Sequence, residues 1–514
     1  MFRLFRSSAL RCGRSLIHHH CAWAALTIAV GLSPIGYRAV AAAEEDKSSE
    51  PSASNDSGHN FYVNPETGDD RATGLAAERA GADGPVKTIQ AAIRKARPGD
   101  TVHLAPLATP YHDVVVLHKL HGEPGRPITV DGHGAIVTGV EPLAAADCAQ
   151  VEPGLFRTDK LIPPKLLTPE DGVSRRWFFL FDGRINRMGR ALKGKSAPYK
   201  QPEELAPGEW TYRRDENAFY IKIDPARQLA EYRIEWPQRS AGVQVSGDCS
   251  WLVVRNLIAT HVYNDGYNIH GKTREVRFEN IQAIECGDDG YSAHDDCQTS
   301  IDGFISIGNG TGIANAGHSR TQIRKLWIQD CVGFELLFLD EGYRDAAPDG
   351  GNWQSLVDCV IHSSSVNGVS VDGVKALGAP CRVKLENVLI RRAGATGEIR
   401  VSRGASLVAE RTTFVGMNLV AGGAVELRRS ILAGAPAPKL SLNAGAQWRA
   451  DDNLYDLAAI KFGETNYAAD RFDAYRQASG QDARSRWQSI PITNGLPGEV
   501  SAASGVDASS LPTR

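Results

Sequence analysis

The sequence predicts an all-β solenoid, in which the chain winds through stacked coils of parallel strands. The pattern Asp-Gly-Tyr-x-x-His occurs at residues 265–270 and again 24 residues later, at 289–294. From Trp251 onward, short apolar segments recur around a polar residue at similar intervals, and the 514 residues include 51 glycines, which suit a structure with many turns. A period of this size is typical of repeats that bury their apolar sides against their neighbours.

The N-terminal 43 residues have the order of a secretory signal peptide. Arginines come first, the apolar run 21–32 follows, and three alanines stand at 41–43. The apolar run is too short to span a bilayer as a helix. Residues 44–59 are almost entirely polar and predict a disordered linker. The protein is therefore expected to be secreted, either extracellular or periplasmic, with no membrane span after the signal is removed.

The charge of the mature chain excludes one class of partner. Residues 1–43 carry five arginines and no acidic residue, so their removal changes the formal net charge from −3 to −8. An acidic chain lacks the basic surface that nucleic acid or anionic lipid requires. We expect a monomer whose partner is a polysaccharide or oligosaccharide.

Residues 60–140 are predicted to form an N-terminal cap and the first coils. Phe61 begins a strand, and apolar residues with helical spacing predict a helix over 88–96 that ends before Pro98 and Gly99. Another strand follows at 100–104. A short amphipathic helix in this place is suited to cover the open end of a solenoid.

Four segments of this region resemble a known superfamily. They are Phe-Tyr-Val-Asn-Pro at 61–65, Gly-Pro-Val-Lys-Thr-Ile-Gln-Ala-Ala at 84–92, Pro-Gly-Asp-Thr-Val at 98–102 and Gly-Arg-Pro-Ile-Thr-Val at 125–130. They look like the N-terminal section of secreted right-handed parallel β-helix proteins of the pectate lyase-like superfamily. That superfamily includes polysaccharide lyases, glycoside hydrolases and alginate epimerases. The resemblance implies a single-stranded right-handed parallel β-helix that acts on a polysaccharide.

The remaining chain divides into three predicted parts. Residues 141–240 interrupt the repeat and are predicted to form an inserted β-rich lobe with a hairpin over 208–223. Residues 241–435 are predicted to form the main β-helix, and residues 436–514 a C-terminal segment and tail that resemble the end of the same β-helix proteins. One polar position on each coil is expected to form a ladder of turns. Its predicted members are Asn256, Asn280, Asp302, Asp330, Asp358 and Asn387.

The repeated pattern also supplies the candidate catalytic residues. Strands of neighbouring coils lie about 4.8 Å apart, so Asp265 is expected over Asp289 and His270 over His294, with Asp288 beside them. Carboxylates this close cannot all stay ionised at low energetic cost. Either one of them takes up a proton or a cation neutralises them. One strand spacing suits a retaining glycosidase pair or a calcium site, and both interpretations remain open. The expected calcium ligands are Asp288, Asp295 and Asp296.

Two further resemblances concern this stretch. Residues 290–295, with Gly-Asn-Gly-Thr-Gly at 308–312, are similar to the catalytic coil of mannuronan C5-epimerases, and His294 matches the family's proton-transferring histidine. Ser292 and Asp289 stand where that family has a catalytic aspartate and a catalytic tyrosine. The stretch is also similar to polygalacturonases through Asn264-Asp265-Gly266, Gly287-Asp288-Asp289, Gly317-His318 and Ile323-Arg324-Lys325.

The expected function is action on a polysaccharide by elimination or hydrolysis. His294 is the preferred base for an elimination, because an imidazole can titrate near the working pH. Expected substrate-binding residues are Tyr267, Tyr291, Arg320, Arg324, Lys325 and His318, although the tyrosines could equally pack in the core. The alternatives are a non-catalytic carbohydrate-binding or cell-surface solenoid and a C5-epimerase acting on a polyuronate. The sequence leaves disulfide pairing open, including a bridge between Cys286 and Cys297, which geometry decides. The matching contexts of Cys331 and Cys359 suggest that they stack inside the solenoid, where they are expected to be small buried residues.

Overall fold

The computed structural model describes residues 58–161, 173, 176–188, 199–339, 351–363, 369–372, 381–493, 496–497 and 504–513, all within one compact unit. The predicted signal peptide lies outside the described residues, as does the predicted linker except for its last two residues. Among the described helices, none combines the length and apolar character needed to cross a bilayer.

The N-terminal part contains a short helix, α1 (Ile89–Ile93), and six strands. The Thr88 side chain accepts a hydrogen bond from the Ala91 amide and so caps the helix, which packs on the first three strands. The helix is shorter than predicted at both ends. The strands are β1 (Asn60–Val63), β2 (Thr101–Leu104), β3 (Val115–His118), β4 (Ile128–Asp131), β5 (Ile136–Thr138) and β6 (Val140–Pro142).

The described part of residues 141–240 forms antiparallel sheets, unlike the coils on either side. The predicted hairpin is present and pairs Trp210 with Ile221. Trp177, Trp210 and Phe219 pack together in a core that is separate from that of the coils. The strands are β7 (Ala149–Glu152), β8 (Leu155–Thr158), β9 (Phe179–Phe181), β10 (Arg184–Asn186), β11 (Trp210–Arg213), β12 (Ala218–Lys222) and β13 (Ile234–Pro237), which with β6 form two four-stranded sheets.

The central coils alternate a short strand with a long one. They comprise β14 (Ala241–Ser246), β15 (Asp248–Thr260), β16 (Asp265–Ile269), β17 (Lys272–Ile284), β18 (Asp289–Ala293), β19 (Asp296–Ile307), β20 (Thr311–Ala316), β21 (Arg320–Gln329), β22 (Phe334–Leu339), β23 (Trp353–His362), β24 (Val369–Asp372), β25 (Arg382–Arg391) and β26 (Gly397–Val401). Each strand pairs in parallel with its equivalent one coil away. The predicted all-β parallel β-helix is therefore confirmed.

The last coils continue the same alternation and end in a second helix, α2 (Phe472–Ser479). Five 3-10 helices span Ala145–Asp147, Pro202–Glu204, Leu229–Glu231, Ala469–Arg471 and Ala508–Ser510. The strands are β27 (Ser406–Glu410), β28 (Thr413–Val415), β29 (Met417–Ala421), β30 (Ala424–Arg428), β31 (Ile431–Ala433), β32 (Lys439–Leu442), β33 (Gln447–Asp451), β34 (Leu454–Tyr455), β35 (Ala459–Phe462), β36 (Thr465–Tyr467), β37 (Arg486–Trp487), β38 (Ile492–Thr493) and β39 (Leu496–Pro497).

Two parallel sheets enclose the main core. We call the 12-stranded one, to which β16, β18, β20 and β22 belong, the short-strand sheet, and the 17-stranded one, to which β15, β17, β19 and β21 belong, the long-strand sheet. The long strands bend at a row of stacked residues, one on each coil, that adopt a left-handed conformation. Those residues are Asn256, Asn280, Gly303, Lys325, Asp358 and Asn387.

The predicted turn ladder is thus correct for four of its six positions. Strand pairing places Gly303 and Lys325 in the ladder instead of Asp302 and Asp330. Asp330 belongs to the next bend of its coil and is also left-handed, with φ of 58°. The coils differ in length, and both bends of a coil favour residues that tolerate a positive φ. For these two reasons the prediction assigned Asp330 to the ladder although it belongs to the next bend.

The structure has no bridge between Cys286 and Cys297, and Cys331 and Cys359 are buried as expected but do not stack. Cys286 and Cys297 are both buried as free thiols, and none of the seven described cysteines is in a disulfide. Cys331 does not stack on Cys359. Val357 pairs with Arg324 and Val360 with Trp327, which places Cys359 opposite Leu326.

Candidate active site

An open cleft of about 360 Å³ lies on the outer face of the short-strand sheet. Strands β16, β18, β20 and β22 form its floor, and Arg176 of the inserted lobe forms part of its wall. Its other lining residues are Asn264, Asp265, Asn268, His270, Asp288, Asp289, His294, Ala314, Ala316, Leu337 and Leu339. All five candidate catalytic residues therefore share one cleft.

The predicted register between the two copies of the repeated pattern is confirmed. Tyr267 pairs with Tyr291 across β16 and β18, so Asp265 and Asp289 occupy equivalent positions on neighbouring coils. The His270 and His294 rings stack, with centroids 4.7 Å apart and planes 11° from parallel. The parallel strands fix both pairs on one ridge.

Three carboxylates form the floor of the cleft. Asp265, Asp288 and Asp289 each offer an oxygen that lies within 4.8 Å of the other two. Each residue is at most 4% exposed. The amides of Asn264 and Asn268 donate to Asp265 Oδ2 at 2.9 and 2.5 Å, and the Asp289 backbone N–H donates to Asp265 Oδ1 at 3.1 Å. Asp265 is therefore held rigidly beside the other two acids.

The pKa of Asp265 is raised to about 6. Burial is the largest cause, and the neighbouring charge of Asp288 adds to it. Arg176, the Asp289 N–H and His294 act in the opposite direction but do not cancel these effects. Near neutral pH, Asp265 can accordingly exchange a proton.

Arg176 brings a positive charge to this acidic floor. Its Nε lies 2.8 Å from Asp288 Oδ2, and its guanidinium donates to Asn264 Oδ1. Burial acts to lower the pKa of Arg176, but the charges of Asp288, Asp265 and Asp289 outweigh it and raise that pKa overall. One guanidinium thus faces three carboxylates, and the floor keeps an acidic character.

Arg187 attaches the inserted lobe to the turn that precedes Asp288. Its guanidinium donates to the carbonyl oxygens of Cys286 at 2.7 Å and Gly308 at 2.9 Å. Burial lowers the pKa of Arg187 to about 10. A side chain at Gly287 would overlap the backbone oxygens of Tyr263 and Arg176, so glycine is needed for this close approach. The lobe thereby fixes the position of the carboxylates.

The two histidines are oriented by different neighbours. His294 Nε2 lies 2.8 Å from the Ser292 hydroxyl oxygen, which in turn contacts the Ala314 carbonyl. His270 Nδ1 lies 3.5 Å from Asp295 Oδ2. Both rings line the cleft beside the carboxylates, where they can contact a ligand.

The tyrosines predicted to bind substrate lie inside the coils. Tyr267 and Tyr291 are fully buried, and their hydroxyl groups donate to the Leu257 carbonyl and to the Thr299 side chain. Alternation along a strand turns them inward, while Asn268 faces the cleft. Gly266 and Gly290 lie within strands β16 and β18. A Cβ atom added at Gly266 would lie 2.8 Å from Ala283 Cβ, and one added at Gly290 would lie 2.5 Å from Ser306 Oγ, so neither position has room for a side chain.

The predicted calcium ligands are not assembled as expected. Asp295 Oδ2 accepts the Gly271 N–H, and Asp296 pairs with Arg274 and Arg320. The described residues contain two groups spaced to hold a cation, and neither includes Asp295 or Asp296. Asp288 belongs to one of them, together with Asp265 and Asp289. Calcium binding itself remains a prediction.

The basic residues predicted to bind substrate also lie away from the floor. Arg324 and Lys325 are on the long-strand sheet, where they pair with Asp358 and Asp302. Arg320, at the start of the same strand, pairs with Asp296. His318 lies in the turn between the sheets, 9% exposed, and its backbone N–H donates to the Asp295 carbonyl. None of these four is among the lining residues of the cleft.

Sequence reasoning missed Arg176, Asn264, Asn268 and the apolar wall. Asn264 and Asn268 adjoin or lie within the first copy of the repeated pattern, so their strand positions could have identified them. Arg176 lies 88 positions before Asn264 and 112 positions before Asp288, in a segment without repeats, and the sequence carries no signal for these contacts. Leu337 and Leu339 come from a coil that lacks the pattern.

No family model matches the chain, and no curated protein matches it. Solved structures with a similar fold include one described as XylC in complex with xylose, 12% identical over 83% of this chain and 82% of that one, with a TM-score of 0.43. Another, described as a glycoside hydrolase, is 10% identical over 88% and 99%, with a TM-score of 0.43. A GH136 lacto-N-biosidase from Eubacterium ramulus is 10% identical over 84% and 68%, with a TM-score of 0.34. These similarities are too distant to assign an activity.

Proposed function

We propose that the protein hydrolyses a glycosidic bond of a polysaccharide or oligosaccharide in the cleft. The observation that carries the proposal is the cluster of Asp265, Asp288 and Asp289, which have carboxylate oxygens within 4.8 Å of one another. All three residues are almost completely buried. Glycoside hydrolysis uses two acidic residues, one protonated and one ionised, on either side of the scissile bond. Environments that separate the pKa values of neighbouring acids establish these roles.

The charge of the cleft favours hydrolysis over elimination. The transition state of glycoside hydrolysis resembles an oxocarbenium ion, so positive charge develops on the sugar, and nearby carboxylates stabilise it. Elimination or epimerisation removes a proton from carbon and develops negative charge, which three carboxylates would oppose. Among the described residues, Arg176 is the one arginine lining the cleft, and it is already paired with Asp288.

We assign roles from the contacts of the three acids. Asp265, with its pKa raised to about 6, protonates the leaving oxygen. Asp288 is held by Arg176 and positions the other two. Asp289 attacks the anomeric carbon, since the short separation of the carboxylates suits a retaining enzyme. His270 and His294 contact sugar hydroxyls at the edge of the cleft.

The test is an assay of Asp265→Asn and Asp289→Asn on a panel of neutral and uronate-containing polysaccharides. Each variant is expected to lose at least about 100-fold in the release of reducing ends. Asp302→Asn is the matched control, because this exposed aspartate pairs with Lys325 on the other sheet. Full activity of both cleft variants would refute the proposal, and so would ultraviolet absorbance from an unsaturated uronate product. Binding without any product would indicate the non-catalytic alternative.

A further inference from the structure

A second cluster of metal-ligating side chains lies on the outer face of the long-strand sheet, in the first coils. His103 is on β2, Asp131 is the last residue of β4, and His133 lies two residues after it. Pairing of β1, β2, β4 and β15 stacks Tyr62, His103, Asp131 and Arg255 in one row. The row belongs to a rigid parallel sheet and is separate from the cleft.

The two imidazole rings face each other through their nitrogen atoms. His103 Nδ1 lies 2.8 Å from His133 Nε2, and the ring centroids are 5.1 Å apart. One ligand atom from each of His103, Asp131 and His133 lies within 4.8 Å of the other two. His133 has a left-handed backbone, with φ of 51°, and its N–H donates to Asp131 Oδ1. This tight turn places the His133 ring beside His103.

A second layer of contacts fixes the ligand atoms. His103 Nε2 lies 2.9 Å from Asn60 Oδ1, so this nitrogen carries the proton and Nδ1 keeps a lone pair directed at His133. Asp131 is 3% exposed, and its oxygens accept from Arg255 Nε at 2.7 Å and Asn256 Nδ2 at 3.0 Å. Protein metal sites hold their histidine and carboxylate ligands through contacts of this kind.

We propose that His103, His133 and Asp131 bind a divalent transition-metal ion of the zinc type. Two imidazoles and one carboxylate form a ligand set that zinc accepts, with water completing the coordination. Without metal, the short contact between the rings requires one N–H donor, which is His133 Nε2. When the metal takes the lone pair of this nitrogen, the proton moves to His133 Nδ1 through solvent, and both rings stay neutral. The ion joins β2 to the turn after β4 and stabilises the first coils.

The test measures zinc binding to the chelator-treated full chain by equilibrium dialysis, with cobalt as a spectroscopic probe. His18, His19 and His20 can also bind metal, so the quantity compared is the stoichiometry of each variant against the parent. His103→Gln and His133→Asn are each expected to lose one equivalent of zinc and the share of the visible cobalt absorption that this equivalent contributes. Asparagine at 133 tolerates the left-handed backbone.

Two control variants test whether the lost equivalent of zinc was bound by the cluster of His103, Asp131 and His133. His121→Gln changes an exposed histidine of the same coils that contacts Ser250 and should keep the full stoichiometry. Asp302→Asn, which lies outside both groups spaced to hold a cation and pairs with Lys325, should keep it as well. Circular dichroism of each variant verifies folding, and the exposed His133 decides the outcome if His103→Gln does not fold. Equal stoichiometry in His133→Asn and the parent would overturn the proposal and leave a histidine pair joined by a hydrogen bond only.

Discussion

The buried Asp265 carboxyl should make the stability of the protein depend on pH in a way that an amide removes. Its pKa is raised from 3.8 to about 6 in the folded state. Each unit of pKa difference between folded and unfolded states corresponds to about 1.4 kcal/mol, so the ionised carboxylate costs the folded state about 3 kcal/mol above pH 6. The cost is absent below pH 3.8, where both states hold the proton.

The direction of the effect follows from which state binds the proton more tightly. Between pH 3.8 and about 6 the unfolded chain releases the proton while the folded chain keeps it. The free energy of unfolding of the parent therefore falls as pH rises through this window, relative to Asp265→Asn. The amide loses one acceptor beside the Asp289 N–H, but that penalty does not vary with pH.

Urea unfolding of the parent and of Asp265→Asn at pH 4, 5, 6 and 7 measures this difference. As the pH rises across the series, the free energy of unfolding of the variant should increase by about 3 kcal/mol relative to that of the parent. The variant should nevertheless lose activity. Asp302→Asn, an exposed aspartate, should show a far smaller change. A difference between parent and Asp265→Asn that stays constant from pH 4 to 7 would refute the raised pKa and with it the assignment of the acid.

Three further predictions concern the surroundings of the cleft. Arg176→Gln should move the alkaline limb of the pH–rate profile to higher pH, because Arg176 lowers the pKa of Asp265; an unmoved limb would contradict this. Calcium should raise the thermal midpoint of the parent but not of Asp288→Asn, since three carboxylates face one guanidinium; equal shifts would place calcium elsewhere. Arg187→Leu should lower the free energy of unfolding by about 3 kcal/mol, because buried carbonyl groups lose their donor; chemical denaturation that shows no loss would remove its anchoring role.

Much of the fold could be predicted from the sequence because it depends on the spacing of repeated and apolar residues along the chain. A repeat of 24 residues gave the pairing of Tyr267 with Tyr291, and with it the stacking of His270 on His294. The position of the capping helix followed from apolar spacing and from Pro98 and Gly99. The ladder prediction was wrong at Asp302 and Asp330, because coil lengths vary and each coil has two bends that accept the same residue types.

The sequence by itself determined that this chain forms a parallel β-helix and that Asp265, Asp289, His270 and His294 lie on one ridge, because the two copies of the pattern are one coil of 24 residues apart and therefore superimpose. Only the tertiary structure decided which side chains face the cleft. It turned Tyr267 and Tyr291 inward, left Arg324 on the other sheet and brought Arg176 from the lobe to Asp288. These outcomes depend on strand alternation at particular positions and on contacts between distant segments, and periodicity along a chain encodes neither.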